Sequence, residues 1–185
     1  KDKPLIFIVD DDVSMGTIIS KMLEINYRIE YFNSAGAFWS VSLEEIPDLI
    51  LLDVMMPGEN GFETALKIRT HALLSVVSII FLTAKAEPEE LKNAFESGAD
   101  DFLRKPFNRI ELEVRIKSVL QRKKLENELR ILSTYDELTR VYNRRFFTER
   151  LVEHLERNRR HREIFSLAIL DIDFFKKIND KYGHQ

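Results

Sequence analysis

Cysteine is absent from the 185-residue sequence, and this absence excludes several kinds of site. Disulfide frameworks, thiolate zinc sites, iron–sulfur clusters and thiol catalysis all depend on cysteine. A chain without cysteine also fits a reducing compartment, and we expect a cytoplasmic protein.

Long hydrophobic runs and an excess of one charge are absent too. Apolar runs such as Ile79–Leu82 have the length of a strand, whereas a membrane-spanning helix needs ~20 apolar residues. The 28 basic and 31 acidic residues give a net charge of −3, which is too balanced for a protein whose main task is to bind nucleic acid. We therefore expect neither membrane insertion nor nucleic-acid binding.

Residues 5–107 alternate between patterns typical of strands and of helices. Apolar or weakly alternating runs predict strands at Leu5–Val9, Arg28–Phe32, Leu49–Leu52, Ile79–Leu82 and Phe102–Leu103. Helices are predicted between them, over residues 13–25, 39–43, 62–68 and 89–97. Uniformly apolar strands that alternate with helices predict a five-stranded, doubly wound parallel α/β sheet, because both faces of such a sheet are covered.

Chemically suggestive side chains follow four of the predicted strands. They are the acidic run Asp10–Asp12, and then Asp53, Thr83 and Lys105. An acidic run after a strand is more often a helix cap or a solvated turn, but the carboxyl ends of parallel strands share the edge where ligands bind. Clustered carboxylates suit Mg²⁺, an aspartate can accept a phosphoryl group, and Lys and Thr side chains bind phosphoryl oxygens.

Four segments carry a resemblance to a known family. They are Val9–Asp11, Leu52–Gly58, Phe81–Ala84 and Lys105–Phe107. In this order and spacing they resemble the receiver domain of bacterial two-component response regulators, over residues 4–123. The resemblance implies a flavodoxin-like fold and a sensor histidine kinase as the phosphodonor.

The same resemblance implies a role for each site residue. Asp53 would be phosphorylated, and Mg²⁺ would be held by Asp10, Asp11, Asp53 and the backbone carbonyl of Met55. Thr83 and Lys105 would contact the phosphoryl group, with Phe102 as the aromatic partner of Thr83 in the switch. It also implies a cis peptide bond between Lys105 and Pro106.

A long helix is predicted after the receiver-like region. Residues 108–132 contain neither glycine nor proline, and aliphatic residues recur there at steps of three and four. The helix is either the last one of the receiver, packed on its own domain, or a protruding linker that pairs with a second copy. Its length favours the linker.

A second pattern follows this helix. We predict a helix over residues 137–158 with Asp136 as its N-cap, a strand at Phe165–Leu170 and a helix at Phe174–Lys181. Acidic residues at a strand end can hold a metal, and backbone N–H groups at a helix start can bind phosphates. A strand–turn–helix with solvated charges accounts for the same residues equally well.

Two motifs in this region resemble the N-terminal part of a GGDEF domain, the diguanylate cyclase module. Residues 136–145 read Asp-x-Leu-Thr-x-x-x-Asn-Arg-Arg, and residues 171–184 read Asp-x-Asp-x-Phe-Lys-x-x-Asn-Asp-x-x-Gly-His. The resemblance, over residues 135–185, implies Mg²⁺ and GTP as ligands. It assigns Mg²⁺ to Asp171 and the carbonyl of Ile172, the triphosphate to Phe174, Phe175 and Lys176, and guanine to Asn179 with His184 nearby.

The sequence therefore predicts a receiver at residues 1–123, a helical linker at 124–134 and a truncated GGDEF domain at 135–185. We expect a response regulator whose phosphorylation controls the synthesis of cyclic di-GMP, with a homodimer formed through the receiver and the linker helix. The signature hairpin of the GGDEF family does not occur in these residues, so we expect no cyclase activity from them alone. The alternative is a phosphorylation-dependent binding module with a degenerate output domain.

Overall fold

The computed structural model describes residues 3–41, 45–84, 96–136, 138–161 and 166–183. The chain divides into two compact units, Lys1–Glu128 and Leu129–Gln185. In the described part of the chain, no helix has the length and apolar character that crossing a membrane requires.

The first unit is built around a five-stranded parallel sheet, which confirms the predicted fold class. The strands are β1 (Leu5–Val9), β2 (Arg28–Phe32), β3 (Leu49–Asp53), β4 (Ser78–Thr83) and β5 (Asp101–Arg104). Their order in the sheet is β2-β1-β3-β4-β5, and every neighbouring pair is parallel. The three apolar strands β1, β3 and β4 are buried along their whole length and form the centre, whereas the mixed sequence of β2 suits an edge.

Helices cover both faces of the sheet. They are α1 (Val13–Leu23), α2 (Ala35–Ser40), α3 (Gly61–Thr70) and α4 (Arg109–Thr134). The helix predicted at residues 39–43 lies earlier in the chain, at Ala35–Ser40. The Ser34 side chain caps its N-terminus, and the backbone is extended at Val41, where the helix has ended. The predicted helix at 89–97 lies outside the described residues except for its last two positions.

Successive residues of each central strand pack on opposite faces of the sheet. On one face, Phe7 and Phe81 pack with Phe38 of α2 and Ile68 of α3. On the other face, the core of strand residues is completed by residues of α1 and α4: Ile19, Leu23, Leu112, Ile116 and Val119. This two-sided burial fixes the register of the strands and therefore the edge at which their carboxyl ends meet.

The long helix α4 runs from Arg109 to Thr134, as predicted. Its first half buries Leu112, Ile116 and Val119. Among the described residues, none after Val119 is buried. The later half of α4 therefore buries no side chain and leaves Leu125, Leu129 and Leu132 exposed.

The second unit contains α5 (Arg144–His161), which begins later than predicted. Asp136 does not cap this helix, because the helix begins only at Arg144. The Asp136 carboxylate instead accepts hydrogen bonds from the backbone and hydroxyl of Thr139 within a turn. Tyr135 and Tyr142 form an isolated antiparallel bridge across this turn. Asn143 then caps α5, since its side-chain oxygen accepts the N–H of Phe146 at 2.9 Å.

The predicted strand before Asp171 is wrong for the residues that the structure describes. Residues 166–170 have no strand structure, and Ile169 and Leu170 are 85% and 94% exposed. A strand needs a neighbour to accept and donate its backbone hydrogen bonds, and no described residue provides one here. The last helix, α6, spans Phe175–Tyr182 and starts one residue later than predicted.

Candidate functional site

The structure brings the suggestive side chains of the first unit to one edge of the sheet. Asp10 follows β1, Asp53 and Thr83 end β3 and β4, and Lys105 follows β5. The carboxylates of Asp10, Asp11 and Asp53 each place an oxygen within 4.8 Å of the others. Asp10 and Asp53 are buried, whereas Asp11 is exposed, so the cluster has one side open to solvent.

Lys105 joins the two buried carboxylates. Its Nζ donates to Oδ2 of Asp10 at 2.7 Å and to Oδ1 of Asp53 at 2.5 Å. The Lys105–Pro106 peptide bond is cis, as the resemblance to receiver domains implies. The backbone N–H of Lys105 also donates to the carbonyl of Thr83 at 2.7 Å, which ties the turn after β5 to the end of β4.

A network of local hydrogen bonds shapes the turn after β1. The Asp10 N–H donates to the carbonyl of Phe32, and the Asp12 N–H donates to Oδ1 of Asp10 at 3.0 Å. The Asp12 carboxylate caps α1 by accepting the N–H groups of Ser14 and Met15. Asp12 is thereby turned toward the helix and stays outside the group of three clustered carboxylates.

The Asp53 side chain is oriented by the loop that follows it. The Met55 N–H donates to Oδ2 of Asp53 at 2.9 Å, so each carboxylate oxygen has a different donor. The loop then passes so close to β3 that a Cβ on Gly61 would lie 2.2 Å from the Asp53 carbonyl oxygen. Only glycine fits there without moving the backbone that carries Asp53.

Burial and charge act in opposite directions on these groups. Burial raises the pKa of Asp53 above its ordinary value, Lys105 and the Met55 N–H lower it in part, and the charge of Asp10 raises it further. For Lys105, burial lowers the pKa, but its hydrogen bonds and attraction to Asp10 and Asp53 outweigh burial and leave the pKa raised. The ammonium is therefore firmly charged, while Asp53 ionises less readily than an exposed aspartate.

The donor set fits a magnesium ion. The cluster holds three carboxylates, and among the described residues the Lys105 ammonium group pairs with two of them, Asp10 and Asp53, so their ionised form leaves net negative charge there. Mg²⁺ prefers oxygen ligands, usually keeps several waters and is commonly bound through one or two carboxylates. Exposed Asp11 gives the ion access from solvent, and the backbone of Met55 lies in the loop beside Asp53.

Thr83 and Phe102 lie on neighbouring strands beside the cluster. Thr83 is buried at the end of β4 and pairs in register with Arg104 of β5. Phe102 is half-buried, pairs in register with Phe81 and packs against the core. Thr83 and Phe102 therefore lie on strands that are hydrogen-bonded to each other.

The second set of predicted site residues lies in and before α6. Asp171, Ile172, Phe174, Phe175 and Lys176 are all exposed, and Phe174 has a positive φ of 59° just before the helix. The Phe175 N–H donates to the carbonyl of Ile172 at 3.3 Å, which shapes this turn. Asn179 is half-buried in α6, and His184 lies outside the described residues.

Comparison with known proteins finds a family match for each of the two regions. The family of the response regulator receiver domain matches residues 6–117. The chain belongs to the response regulator receiver family. A second family, the GGDEF domain of diguanylate cyclases, matches residues 133–185 of this response regulator.

Curated relatives align with the receiver part. The phosphate regulon transcriptional regulatory protein PhoB of Pseudomonas aeruginosa is 39% identical over 118 residues, which are 63% of this chain and 52% of that protein. The CpxR homolog of Haemophilus influenzae is 42% identical over 118 residues, or 63% of this chain and 50% of that protein. The chain thus spans about half the length of the curated relatives it matches.

Solved structures show the same fold. The Vibrio cholerae chemotaxis protein CheY4 superposes with a TM-score of 0.61 at 27% identity, covering 63% of this response regulator and 98% of that chain. The Thermotoga maritima response regulator DrrB superposes with a TM-score of 0.60 at 32% identity, covering 65% and 54%.

Sequence reasoning missed two residues that shape the receiver site. The Tyr31 hydroxyl donates to the backbone carbonyl of Asp10 at 2.7 Å. Gly61 allows the close passage of the loop after Asp53. The isolated glycine at the start of a helical pattern was a signal for Gly61, whereas nothing in the sequence places Tyr31 beside Asp10.

Proposed function

We propose that Asp53 accepts a phosphoryl group from a sensor histidine kinase and that this modification controls a diguanylate cyclase output. The observation that carries the proposal is the position of Lys105, whose ammonium contacts both Asp10 and Asp53 beside an open carboxylate cluster. The match to a receiver domain followed by a GGDEF domain supports the same reading.

Each receiver residue has a defined part in the proposed transfer. A carboxylate oxygen of Asp53 forms a bond to phosphorus while the bond from phosphorus to the kinase histidine nitrogen breaks. Lys105 and the Thr83 hydroxyl bind phosphoryl oxygens. Mg²⁺ would be held by Asp10, Asp11, Asp53 and the carbonyl of Met55, and it would neutralise negative charge on the phosphoryl oxygens.

The proposed switch follows from strand pairing. Engagement of Thr83 by the phosphoryl group draws its side chain toward Asp53, and half-buried Phe102 on the neighbouring strand β5 adjusts to the space beside it. The strand β5 leads directly into Lys105 and α4, so the modification is relayed to the segment that joins receiver and output.

We propose the domain limits 1–123, 124–134 and 135–185 for the receiver, the linker and the GGDEF region. Dimerisation through the receiver and the linker helix brings two GTP-bound output domains together. Each 3′-hydroxyl attacks the α-phosphorus of the other GTP, giving cyclic di-GMP and two pyrophosphates. Both GTP and the kinase are available in the cytoplasm, where we place the protein.

Within the output domain, each predicted residue has a proposed ligand. Asp171 and the carbonyl of Ile172 hold Mg²⁺, and Phe174, Phe175 and Lys176 contact the triphosphate. Asn179 and His184 contact guanine. Among the described residues of this set, Asn179 is half-buried and the others are exposed, so the described residues do not enclose a nucleotide. His184 lies outside the described residues. We propose that the 185 residues alone lack cyclase activity, since the signature hairpin does not occur in them.

Phosphorylation is tested with acetyl phosphate and Mg²⁺, followed by intact mass. Wild-type protein is expected to gain the mass of one phosphoryl group, and Asp53→Asn is expected to gain none. Asp12→Asn is the matched control, because Asp12 caps α1 and should leave transfer intact. An unmodified wild type, or a modified Asp53→Asn variant, would contradict the proposal.

The output is tested in a longer parent protein that contains the complete GGDEF domain. With GTP and Mg²⁺, the phosphorylated parent is expected to produce cyclic di-GMP, and its Asp171→Asn variant is expected to produce little or none. A phosphorylated parent that forms no product would instead favour the binding module with a degenerate output domain.

A further inference from the structure

Tyr31 of the edge strand β2 reaches across to the acidic turn after β1. Its hydroxyl donates to the backbone carbonyl of Asp10 at 2.7 Å. That carbonyl belongs to the peptide group that joins Asp10 to Asp11. Because a peptide group is planar, a hydrogen bond to its oxygen restrains the orientation of the whole unit. The two residues on either side of this unit carry two of the three clustered carboxylates.

Gly16 of α1 makes room for the tyrosine ring. A Cβ built on Gly16 would lie 2.2 Å from Cε2 of Tyr31 and 2.6 Å from its Cδ2 and Cζ atoms. Glycine inside a helix is destabilising relative to alanine, so its presence in α1 needs a structural reason. The reason here is the ring of Tyr31, which occupies the volume that any other side chain would fill.

The strand β2 does not need the hydroxyl group for its own stability. Tyr31 pairs with Ile8 in the parallel register through the backbone, and its half-buried ring packs against the core of the α1 face. The hydroxyl therefore contributes its hydrogen bond to the Asp10 carbonyl, and a phenylalanine preserves the remaining contacts.

We propose that Tyr31 is a positioning residue for the metal site, which holds the Asp10–Asp11 peptide so that both carboxylates face the same ion, and that Gly16 seats its ring. This inference rests on the proposed function of the carboxylate cluster. The Tyr31 hydroxyl contacts the backbone carbonyl of Asp10, so it acts through the peptide that it holds.

The test measures the binding of Mg²⁺ itself by titration calorimetry on the full chain. Tyr31→Phe is expected to weaken Mg²⁺ binding about three- to tenfold, the effect of losing one net hydrogen bond. Tyr27→Phe is the matched control, since Tyr27 is buried in the turn before β2 and away from the cluster. Unchanged Mg²⁺ affinity in Tyr31→Phe, or an equal loss in Tyr27→Phe, would overturn the inference.

Amide hydrogen exchange provides a second readout without metal. The amide of Asp11 belongs to the restrained peptide, so it is expected to exchange faster in Tyr31→Phe while amides in the centre of β4 keep their wild-type rates. Faster exchange spread evenly over the sheet would show a general loss of stability and would contradict a positioning role.

Gly16→Ala extends the test through a double-mutant cycle. The new methyl group is expected to displace the tyrosine ring and weaken Mg²⁺ binding in the wild-type background. In the Tyr31→Phe background it is expected to weaken binding no further, because the hydroxyl through which it acts is already gone. Additive losses would contradict the proposed route from Gly16 through Tyr31.

The outcome separates this inference from the proposed function. If wild-type protein neither binds Mg²⁺ nor becomes phosphorylated on Asp53, the function of the cluster is wrong and the inference falls with it. If wild type binds Mg²⁺ and accepts the phosphoryl group but Tyr31→Phe binds Mg²⁺ equally well, only the role of Tyr31 is wrong.

Discussion

Asp53 illustrates how a side chain placed for chemistry can work against stability. Its pKa is raised above the ordinary value of 3.8, with burial as the largest cause. At pH values between 3.8 and the higher pKa of Asp53 in the folded state, the folded protein binds more protons than the unfolded chain. The free energy of unfolding contributed by this group therefore falls as the pH rises through that window, and above it the ionised carboxylate is fully destabilising.

We expect Asp53→Asn to stabilise the metal-free protein at pH 7 by on the order of 1 kcal/mol. The amide keeps the size of the side chain and removes its charge, and Lys105 retains Asp10 as a partner. The gain should shrink as the pH falls toward the ordinary pKa of aspartate, where wild-type Asp53 is protonated too. Urea denaturation in a chelator at several pH values measures this. A gain that is independent of pH would contradict the argument.

Gly61 shows a second constraint that acts on a single residue. We expect Gly61→Ala to destabilise the protein by about 2 kcal/mol or more, because its Cβ would overlap the Asp53 carbonyl oxygen and lie 2.9 Å from the Val54 Cα. Both atoms belong to the backbone and cannot rotate away.

Gly36→Ala is the matched control for this substitution. A Cβ on Gly36 meets only the Ser34 Oγ at 3.9 Å, and the residue lies within α2, so alanine is expected to be neutral or to stabilise by up to ~1 kcal/mol. Urea denaturation compares the two variants. Similar free energies of unfolding for both would show that the loop can shift away from β3.

At the scale of elements, α4 changes character along its length. Its buried residues Leu112, Ile116 and Val119 recur at steps of four and three, and the exposed residues Leu125, Leu129 and Leu132 repeat these two steps after a step of six. Leu129 is 67% exposed, and an apolar stripe of this spacing is typical of helices that pair with another helix. The proposed homodimer would cover this stripe.

We expect Leu129→Glu to weaken self-association of the chain at least about tenfold, because it places a charge in the stripe. Asn127→Glu is the control, since two helical steps of 100° from either Leu125 or Leu129 put residue 127 on the opposite side of α4. Sedimentation velocity over a range of concentrations measures the dissociation constants. Equal weakening by both substitutions, or a wild type that stays monomeric, would contradict pairing through the stripe.

The elements that could be predicted from sequence are those that carry their own signal. The strands β1, β3 and β4 are continuous apolar runs, and the residues that end or follow them, Asp10, Asp53 and Thr83, were predicted to share an edge because parallel strands require it. The strand predicted at 165–170 had an equally apolar sequence but lacks a pairing partner among the described residues. Periodicity alone does not supply that partner.

The side chains that could not be predicted act across the fold. Tyr31 belongs to an edge strand with weak alternation, and only the pairing of β2 with β1 brings its hydroxyl to Asp10. The start of α5 was misplaced because Asp136 satisfies a turn while Asn143 provides the cap. Both residue types cap helices well, so local preference does not choose between them.

At the scale of the whole molecule, burial is distributed unequally between the two units. Every buried hydrophobic residue among those that the structure describes lies between Leu5 and Val119. In the described part of the second unit, α5 and α6 expose apolar side chains such as Phe147, Val152 and Phe175. Apolar burial is the main favourable contribution to folding. The first unit therefore accounts for the free energy of cooperative unfolding.

We therefore expect amide hydrogen exchange on the 185-residue chain to separate the units. Amides in β1, β3 and β4 should approach the protection set by global unfolding, while amides in α5 and α6 should be at least ~100-fold less protected. GTP and Mg²⁺ should leave the exchange of α6 unchanged, because the residues before and at the start of this helix are exposed and do not enclose a nucleotide. Protection of α5 equal to that of β4 would show that its exposed apolar face is covered in solution, and self-association would then be the first explanation to test.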